Sequence, residues 1–466
     1  MIPLAVATSK DKLTMFRDKA HTIMDQWVNS LAPALLDDKP LTMEEISALF
    51  EEKKAELLSA LVTDFIGVHH QEVLEQQFAP CPQCGISCKC RRQASRRIES
   101  RQGSSRLDRP YFLCHSCKIG FSPLDETLQL SGRQKQYDLQ RLALDYIAKM
   151  PYTKASELFA KSTGISFSEN TLHDFLANFT KNLTLEEVLP SAEEIVHRIA
   201  KVKGAAKRRP VLVVATDGAH LPTRPLPGRK GKRGPGEYKE AKGFRLYLLG
   251  SSNKIVQLVS WHQMQDADEC AATLKVVAAL IPTEKVRIAL VGDGAPWVWR
   301  AMTEAFPEGR EVLDYFHCSE HIHALAPAQY ADDPVKALQW AEATMTRLYY
   351  GEVNQVIGGL KRMQPKKDDV KEQIRKLIGY LKNNAHRIDY EHHRRGGYAI
   401  GSGGIESANK FICHVRMKRS GAWWLKEHGN GMLALRCAIV NGTLDDAFKR
   451  YVALDQQNRF MLGTKS

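Results

Sequence analysis

The spacing of apolar residues divides the chain into helical and strand-like regions. In residues 1–75, and again from about 130 to 185, apolar side chains recur every three or four positions, which is typical of amphipathic helices. From Pro210 onward the runs VLVVAT, GFRLYLLG and KIVQLVSWH predict three strands, the last two joined by the short turn SSN. A helix, a fourth strand (VRIALV), a second helix and a fifth strand (EVLDYFH) are predicted next, which indicates a mixed α/β domain.

Two short amphipathic stretches precede the strands, in PYTKASELFAKSTGISFSENTLHDFLANF. Gly164 separates them, and Ser168 or Glu169 is expected to begin the second helix, because both residue types suit a helix N-terminus. The pattern is compatible with a helix-turn-helix, whose second helix enters the DNA major groove. Any hairpin of two helices has a similar pattern, so both interpretations stay open.

The chain carries an excess of positive charge. Lys and Arg number 66 against 53 Asp and Glu, which gives a formal net charge of +13. This balance favours a polyanionic partner, because each neutralised phosphate releases condensed counterions. With 466 residues, 43% of them hydrophobic, the chain is long enough to bury more than one core.

The hydrophobic pattern also bears on location. No apolar run approaches the roughly 18 residues needed to cross a bilayer, and the opening MIPLAVATSKDKL lacks the features of a secretory signal. We therefore expect a cytoplasmic protein with no membrane partner. In that reducing setting, the ten cysteines are not expected to form a disulfide framework.

Six of the cysteines lie close together in the sequence, between CPQC and CHSC. Two Cys-x-x-Cys pairs suit a tetrahedral structural Zn²⁺, so the segment is predicted to be a zinc ribbon with a long finger. The predicted ligands are Cys81, Cys84, Cys114 and Cys117. Either Cys88 or Cys90 could replace one of these ligands or remain free.

Three acids follow strand ends or glycines. VLVVATDG and VGDG place Asp217 and Asp293 where the apolar runs of the first and fourth strands stop. Asp-Gly is also a common way to end a strand in a turn. Glu406 follows the glycines of GSGG and opens a predicted helix, where an acid is favourable at the positive end in any case.

The strand order and these acids resemble the RNase H-like catalytic domain of DDE transposases. DYFH, Asp314 to His317, resembles the Asp-two-residue-His motif of Mutator-like members of that superfamily. The cysteine module and GSGGIESANK…RMKRSGAWW resemble the ISKra-type transposases of bacterial insertion sequences. The resemblance implies an RNase H-like mixed sheet with a helical insertion, preceded by helical and zinc-ribbon modules.

The resemblance also implies a catalytic role for the three acids. Asp217, Asp293 and Glu406 would hold two Mg²⁺ (or Mn²⁺) ions roughly 3.5–4 Å apart for phosphoryl transfer. Converging carboxylates repel one another unless cations are shared between them, and Mg²⁺ accepts a few carboxylates together with phosphate oxygens. Asp314 and His317 are accessory candidates that orient a metal ligand or contact DNA. A polar strand end with a surface histidine explains these two equally well.

Basic stretches supply the expected DNA contacts. Arginines fill the zinc finger in CRRQASRRIESRQGSSRLDR, and RPLPGRKGKRGPGEYKEAK, after Asp217, is predicted to be a mobile loop beside the active site. Arginine on a rigid scaffold favours phosphate contact, although a solvated charged surface would look the same. The expected contacts are Arg91, Arg92, Arg96, Arg97, Arg229, Lys230, Arg416 and Lys418, with Lys410 as a phosphate contact.

Together these observations predict seven segments. They are an N-terminal helical region (1–75), a zinc-ribbon-like module (76–125), a helix-turn-helix-like region (126–205), the first part of an RNase H-like core (206–316), a helical insertion (317–395), the C-terminal helix of the core (396–445) and a tail (446–466).

The function expected from this organisation is DNA transposition. The chain would cleave and join strands of double-stranded DNA at insertion-sequence ends and at a target, as a nucleoid-associated dimer or larger assembly, since two ends are handled together. A non-catalytic zinc-ribbon and helix-turn-helix regulator derived from a transposase is one alternative. An RNase H-like nuclease that does not join strands is another.

Overall fold

The computed structural model describes residues 9–226, 234–250, 254–365 and 367–461. Their contacts divide the chain into two compact units. The first comprises the residues up to Asn182 together with those from Phe448 onward, and the second comprises Leu183–Ala447. Within the described ranges, no helix combines the length and the apolar character needed to cross a bilayer.

The first unit combines helices with an antiparallel sheet. In chain order it contains α1 (Ser9–Leu36), α2 (Met43–His69), α3 (Gln71–Leu74), β1 (Phe78–Pro80), β2 (Ser87–Ser100), β3 (Gly103–Cys114), β4 (Ile119–Phe121), α4 (Pro123–Thr127), α5 (Tyr137–Lys149), α6 (Tyr152–Thr163) and α7 (Glu169–Thr180). The strands pair in the order β1-β2-β3-β4, and β2 and β3 form a long hairpin. This hairpin is the finger predicted between the two cysteine pairs.

The helices α6 and α7 occupy the stretch predicted to form two helices. Gly164 ends α6 with a left-handed φ of +70°. The Ser168 side chain accepts a hydrogen bond from the Thr171 amide and so caps α7, as predicted. Both helices pack against α5, with Phe159 and Leu172 fully buried. A role for this helix pair in DNA binding stays a prediction.

The second unit is built on a mixed sheet. In chain order it contains α8 (Leu185–Val188), α9 (Ala192–Lys203), β5 (Val211–Thr223), β6 (Glu237–Leu249), β7 (Ile255–Gln263), α10 (Ala267–Ala278), β8 (Arg287–Gly292), α11 (Pro296–Ala305), β9 (Arg310–Leu313), α12 (Tyr315–Gln329), α13 (Pro334–Tyr349), α14 (Val353–Arg362), α15 (Asp368–Asn383), α16 (Tyr390–Arg395), α17 (Gly403–Ala408), a π-helix (Asn409–His414), α18 (Val415–Met417), α19 (Lys426–Asn441) and the start of α20 (Leu444–Met461). The residues of α20 from Phe448 onward belong to the first unit.

The sheet of the second unit has the order β7-β6-β5-β8-β9. The strands β5, β6 and β7 are antiparallel, whereas β8 runs parallel to β5 and β9 runs parallel to β8. Apolar side chains such as Val213, Leu246 and Leu290 are fully buried along it. The predicted mixed α/β domain, with its order of strands and helices, is therefore confirmed.

The first strand of this sheet is longer than predicted. The strand β5 continues beyond Asp217 to Thr223, because β6 pairs with it from Val211↔Leu249 as far as Thr223↔Glu237. Part of the basic stretch predicted to be a mobile loop is therefore strand, and that prediction was wrong for residues 237–242. Arg229 and Lys230 lie outside the described residues.

The fifth strand is shorter than predicted. The strand β9 ends at Leu313, and Asp314 is the N-cap of α12, where its side chain accepts a hydrogen bond from the Phe316 amide. A carboxylate suits this position because the first amides of a helix lack partners within the helix. Asp314 and His317 therefore belong to the start of a helix. The helices α12 to α16 follow, in the region predicted to be a helical insertion.

Candidate active site and metal centre

Two of the three predicted catalytic acids lie at the same level on adjacent parallel strands, Asp217 within β5 and Asp293 just after β8. The strands β5 and β8 pair from Val211↔Arg287 to Ala215↔Val291. Asp217 and Asp293 each lie two residues beyond that last pair. Because the strands are parallel, both acids lie at the same end of the β5–β8 pairing. Both side chains are half-buried, so they remain open to solvent on one side.

Each of these acids is held by the backbone near it. Asp217 Oδ1 accepts from the Gly218 amide at 2.7 Å, and Asp293 Oδ1 accepts from the Ala295 amide at 2.9 Å, just before α11. The second bond is the local turn that an Asp-Gly stretch favours. The turn interpretation and the catalytic interpretation of Asp293 are therefore compatible, because the turn uses one carboxylate oxygen.

The third acid, Glu406, is carried by α17, which packs on β5 and β6. A Cβ at Gly404 would stand 2.2 Å from Cε1 of Tyr247 on β6, so only glycine lets α17 approach the sheet this closely. Arg245 Nη1 also donates to the Gly404 carbonyl at 2.5 Å. These contacts place the exposed Glu406 side chain in the neighbourhood of Asp217.

The ionisation of Asp217 is affected by burial and by the charges of the other two acids. Burial raises the pKa of Asp217 to about 6, although the hydrogen bond from the Gly218 amide acts in the opposite direction. The charges of Asp293, Glu406 and Glu240 also raise this pKa. Like charges disfavour one another's ionised forms only at short range, so each of these carboxylates lies near Asp217. A shared divalent cation would relieve this repulsion.

The oxygens of the three acids are spread rather than clustered. Among the described residues, one oxygen from each does not form a set in which all lie within 4.8 Å of one another. A pair of metal ions roughly 3.5–4 Å apart also needs carboxylates spread along its length. Among the described residues, the three acids therefore do not form a ready-made site for a single ion.

Two side chains that hold these acids were not predicted from the sequence, the Asn409 amide and the Ser402 hydroxyl. Asn409 Nδ2 donates to Asp217 Oδ2 at 2.7 Å. The Ser402 hydroxyl can donate to Glu406 Oε1 (2.7 Å) or to Asp314 Oδ2, and its single hydrogen serves one of them at a time. Asn409 begins the π-helix, a geometry that is frequent at functional sites. That association was the available clue, but a π-helix has no clear sequence pattern.

The amide of Asn409 is itself oriented by a buried histidine. A carboxylate only accepts, so the Asn409 amide group faces Asp217 and its Oδ1 faces His262 Nε2, at 2.9 Å. Burial lowers the pKa of His262 to about 4, which leaves the ring neutral at physiological pH. The one ring hydrogen therefore lies on Nε2. Gly243 makes room for this ring, since a Cβ there would stand 2.3 Å from it.

The two accessory candidates, Asp314 and His317, have different surroundings. Asp314 is buried, and Ser402 links it to Glu406, so it lies beside the site. His317 is on α12, where its Nδ1 lies 3.3 Å from a Glu320 oxygen and its ring packs edge-on against His321. Both of these contacts of His317 are with residues of its own helix, and neither is with the three acids.

The predicted DNA contacts that follow Glu406 in the chain differ in their exposure. Lys410 and Lys418 are exposed. Arg416 is only 3% exposed, and its guanidinium lies over the Trp424 ring at 5.0 Å. The expectation that Arg416 contacts DNA was therefore wrong, because packing on a buried tryptophan removes it from the surface.

The arginines of the finger also differ in their exposure. Arg91, Arg92 and Arg97 are exposed along β2. Arg96 instead turns inward, where its Nη1 donates to Asp125 at 2.6 Å. The Asp125 carboxylate thus holds Arg96 in place, and a contact of Arg96 with DNA stays a prediction.

The four predicted zinc ligands come together in the first unit. One sulfur each from Cys81, Cys84, Cys114 and Cys117 lies within 4.8 Å of the others, with 3.6 Å between the sulfurs of Cys84 and Cys114. Hydrogen bonds within this group of cysteines lower the pKa of one thiol and raise that of another. The Cys117 amide lowers the pKa of Cys114 to about 6, and the Cys84 side chain raises the pKa of Cys117 to about 12. Such a set suits a tetrahedral structural Zn²⁺, which takes thiolates.

The two remaining cysteines of the module lie outside this set. The Cys88 thiol donates to the Ile86 carbonyl at 3.4 Å, and the Cys90 thiol to the Arg92 carbonyl at 3.6 Å. The alternatives that the sequence left open are thus resolved in favour of the two Cys-x-x-Cys pairs as the cluster.

The chain has a distant structural neighbour among solved structures. No protein-family model and no curated protein matches the chain. A solved structure, the Drosophila P element transposase strand transfer complex, is similar over 68% of this chain and 80% of that chain, with 10% sequence identity and a TM-score of 0.25. At that identity and score, the likeness decides neither the fold nor the function.

Proposed function

We propose that the protein is a DNA transposase, a divalent-metal-dependent polynucleotidyl transferase with an RNase H-like core. Its metal ligands would be Asp217, Asp293 and Glu406. The observation that carries the proposal is that Asp217 and Asp293 lie at one level, just past the pairing of the parallel strands β5 and β8, together with the charge of Glu406 acting on Asp217. A turn at each strand end needs neither feature.

The chain's own groups would prepare the site for phosphoryl transfer. Two Mg²⁺ or Mn²⁺ ions would supply activation of a water or DNA 3′-hydroxyl and stabilisation of the leaving oxygen. The sheet holds Asp217 and Asp293 more rigidly than loops would. Asn409 and Ser402 restrict the rotation of Asp217 and Glu406. Pre-oriented ligands lower the cost of organising the reaction.

The DNA partner is supported by charge and by the first unit. The formal net charge of +13, the exposed Arg91, Arg92 and Arg97, and exposed lysines near Glu406 favour a phosphate backbone. The four-cysteine cluster would hold a structural Zn²⁺, and the α6–α7 pair would act as a helix-turn-helix. We propose double-stranded DNA at insertion-sequence ends and at a target as substrate, with a dimer or larger assembly handling two ends.

The test is strand cleavage and joining on duplex DNA that carries the sequences flanking the protein's own gene. With Mg²⁺ or Mn²⁺, the wild type should nick the ends and produce joined strands. Asp217→Asn, Asp293→Asn and Glu406→Gln should each lose this activity by several orders of magnitude while keeping DNA binding. Asp268→Asn, a change of an exposed acid on α10, is the matched control and should remain active.

The outcomes separate the alternatives. DNA binding without nicking by the wild type would support a regulator derived from a transposase. Nicking without joined products would support an RNase H-like nuclease. Full activity of any one of the three variants would remove that acid from the ligand set.

A further inference from the structure

The first unit contains a cavity of about 350 Å³ whose charged lining residues are mostly cationic. We call it the cationic cavity and define it by six of its lining residues. These are Arg96, Arg109, Lys118, Ser122, Asp125 and Arg459. Its volume is at the small end of the range for ligand cavities, roughly 300–1,000 Å³. None of these residues belongs to the carboxylate site or the cysteine cluster.

The charge of the lining is unbalanced. Four of its residues are cationic and Asp125 is its one acid. Asp125 pairs with Arg96 and Arg109, each at 2.6 Å, and with Arg459 at 2.8 Å. The next residue, Glu126, lies near Arg459, but burial raises the pKa of Glu126, which favours its uncharged form. The remaining partners of Arg96 are backbone carbonyls, which satisfy N–H donors without neutralising charge.

Two polar groups of the cavity have no partner in the described part of the chain. The Ser122 hydroxyl is buried, with the residue 4% exposed, and makes no hydrogen bond there. Buried hydroxyls normally find a partner, so this one indicates a ligand that can accept a hydrogen bond. The exposed Lys118 ammonium also makes no recorded ion pair among these residues. A phosphate oxygen accepts from both kinds of donor.

The backbone at Lys118 gives an independent indication. Lys118 follows Cys117 and has a left-handed φ of 57°, whereas the matching position after Cys84 is Gly85, with a φ of 73°. Glycine adopts this conformation without steric cost and lysine does not. Both cysteine pairs need the same left-handed turn, in which lysine is less favourable than glycine. We therefore attribute the lysine at position 118 to a role of its side chain. Strained residues of this kind concentrate at functional sites.

The surroundings identify the source of the phosphate. Tyr111 also lines the cavity, and the exposed Arg92 guanidinium lies over its ring, 5.4 Å from the centroid. An exposed arginine beside an open cavity with unpaired donors suits a chain of phosphates rather than a single enclosed one. We propose that the cationic cavity binds a phosphodiester group of the DNA backbone. This rests on the DNA partner of the proposed function but not on catalysis.

The experiment measures how the affinity of the full, zinc-loaded chain for a random-sequence duplex depends on KCl, in buffer without added Mg²⁺ or Mn²⁺ so that no cleavage occurs. Lys118→Asn removes the charge and keeps a residue that tolerates a left-handed φ. It should weaken binding several-fold at low salt and reduce the log–log salt slope by about one phosphate equivalent. Lys118→Arg should retain the wild-type slope. The matched control Lys39→Asn removes an exposed lysine from the loop between α1 and α2 and should change little.

Folding is checked separately. Lys118→Gly should melt at an unchanged or higher temperature and hold as much zinc as the wild type, yet show the same loss of slope as Lys118→Asn. Ser122→Ala should weaken binding with little change of slope, because it removes a hydrogen bond and no charge. A wild-type slope in both Lys118 variants, or an equal loss in Lys39→Asn, would overturn the proposal.

The source of phosphate is tested in the same preparation. Inorganic phosphate should leave the melting temperature of the wild type and of Lys118→Asn equally unchanged, whereas duplex DNA should raise that of the wild type more. Stabilisation by inorganic phosphate that Lys118→Asn abolishes would show a free-anion site instead. Because Asp217→Asn should keep the full salt slope, failure of the cavity and failure of the catalytic proposal give different results.

Discussion

At the scale of single residues, the presentation of Asp217 depends on partners far away in the chain. Asn409 donates to one of its oxygens, and His262 donates to the oxygen of Asn409. The histidine is fully buried and neutral, so it acts as a fixed donor. Outer hydrogen bonds of this kind orient metal ligands and typically account for about 10–100-fold of affinity or activity.

Asn409→Ala should therefore weaken Mn²⁺ binding and strand cleavage by about 10–100-fold, because Asp217 loses the donor that restricts its rotation. His262→Gln keeps an N–H donor and should lose less. Calorimetric titration with Mn²⁺ beside a thermal melt checks this. An equal loss of Mn²⁺ affinity in both variants, or a loss that only follows a lower melting temperature, would contradict the positioning role.

At the scale of helices and strands, the site depends on how closely α17 approaches β6. Gly404 permits that approach, because the Tyr247 ring fills the space where a Cβ would stand. Tyr247 is itself 2% exposed and has little room to move. The position of Glu406 is thus set by a contact between a helix and a strand rather than by its own side chain.

Gly404→Ala should displace α17, cost about 1–3 kcal/mol of stability as overpacking does, and abolish cleavage while DNA binding persists. Gly403→Ala is the matched control, since a Cβ there meets nothing within 4 Å. Urea unfolding and the cleavage assay measure the two effects. Activity in Gly404→Ala equal to that of Gly403→Ala would show that this contact does not position Glu406.

A second contact between elements is the carboxylate of Asp125, on α4, with arginines from β2, β3 and α20. Burial alone would raise the pKa of Asp125, but Arg109, Arg96 and Arg459 outweigh it and lower the pKa below its ordinary 3.8. A carboxyl of this kind stabilises the folded state above its unfolded pKa, and the contribution disappears as pH falls through the lowered folded pKa.

Asp125→Asn should therefore destabilise the first unit by roughly 3–5 kcal/mol at neutral pH, because the arginines lose their shared anion. The difference from the wild type should persist down to about pH 4 and shrink only below it. Asp108→Asn, a change of an exposed acid on β3, should have almost no effect. Urea unfolding at several pH values measures this, and a difference that vanishes already near pH 6 would refute it.

At the scale of the whole molecule, we propose a different kind of metal site for each of the two units. The first unit brings four sulfurs together, which suits a closed structural Zn²⁺ site. The second unit has carboxylates beyond the β5–β8 pairing, and we propose that these hold hard cations that keep open positions for substrate. Metal removal should therefore affect the two units differently.

Cys84→Ser should lose the bound zinc and lower the melting temperature of the first unit, since an exposed ligand is removed without loss of packing. Cys90→Ser, a change of a cysteine outside the cluster, should keep one zinc per chain. Elemental analysis and calorimetry measure these results. Equal zinc content in both variants would exclude the four-cysteine set as the zinc site.

The sequence by itself determined what depends on short-range spacing. The Cys-x-x-Cys pairs, the Ser168 cap and the order of strands and helices follow from local patterns, and the structure has them where the sequence predicts. The acids Asp217 and Asp293 were also visible, because an apolar run that stops at Asp-Gly is a local feature.

Only the tertiary structure decided which distant residues meet. The register of β5 against β8 puts two acids at one level, and the packing of α17 and the π-helix adds Glu406 and Asn409. Tertiary packing also buries Arg416 and pairs Arg96 with Asp125, which a count of basic residues cannot distinguish from freely exposed ones. These contacts join residues far apart in the chain, and their energies depend on burial and shape, which no local spacing encodes.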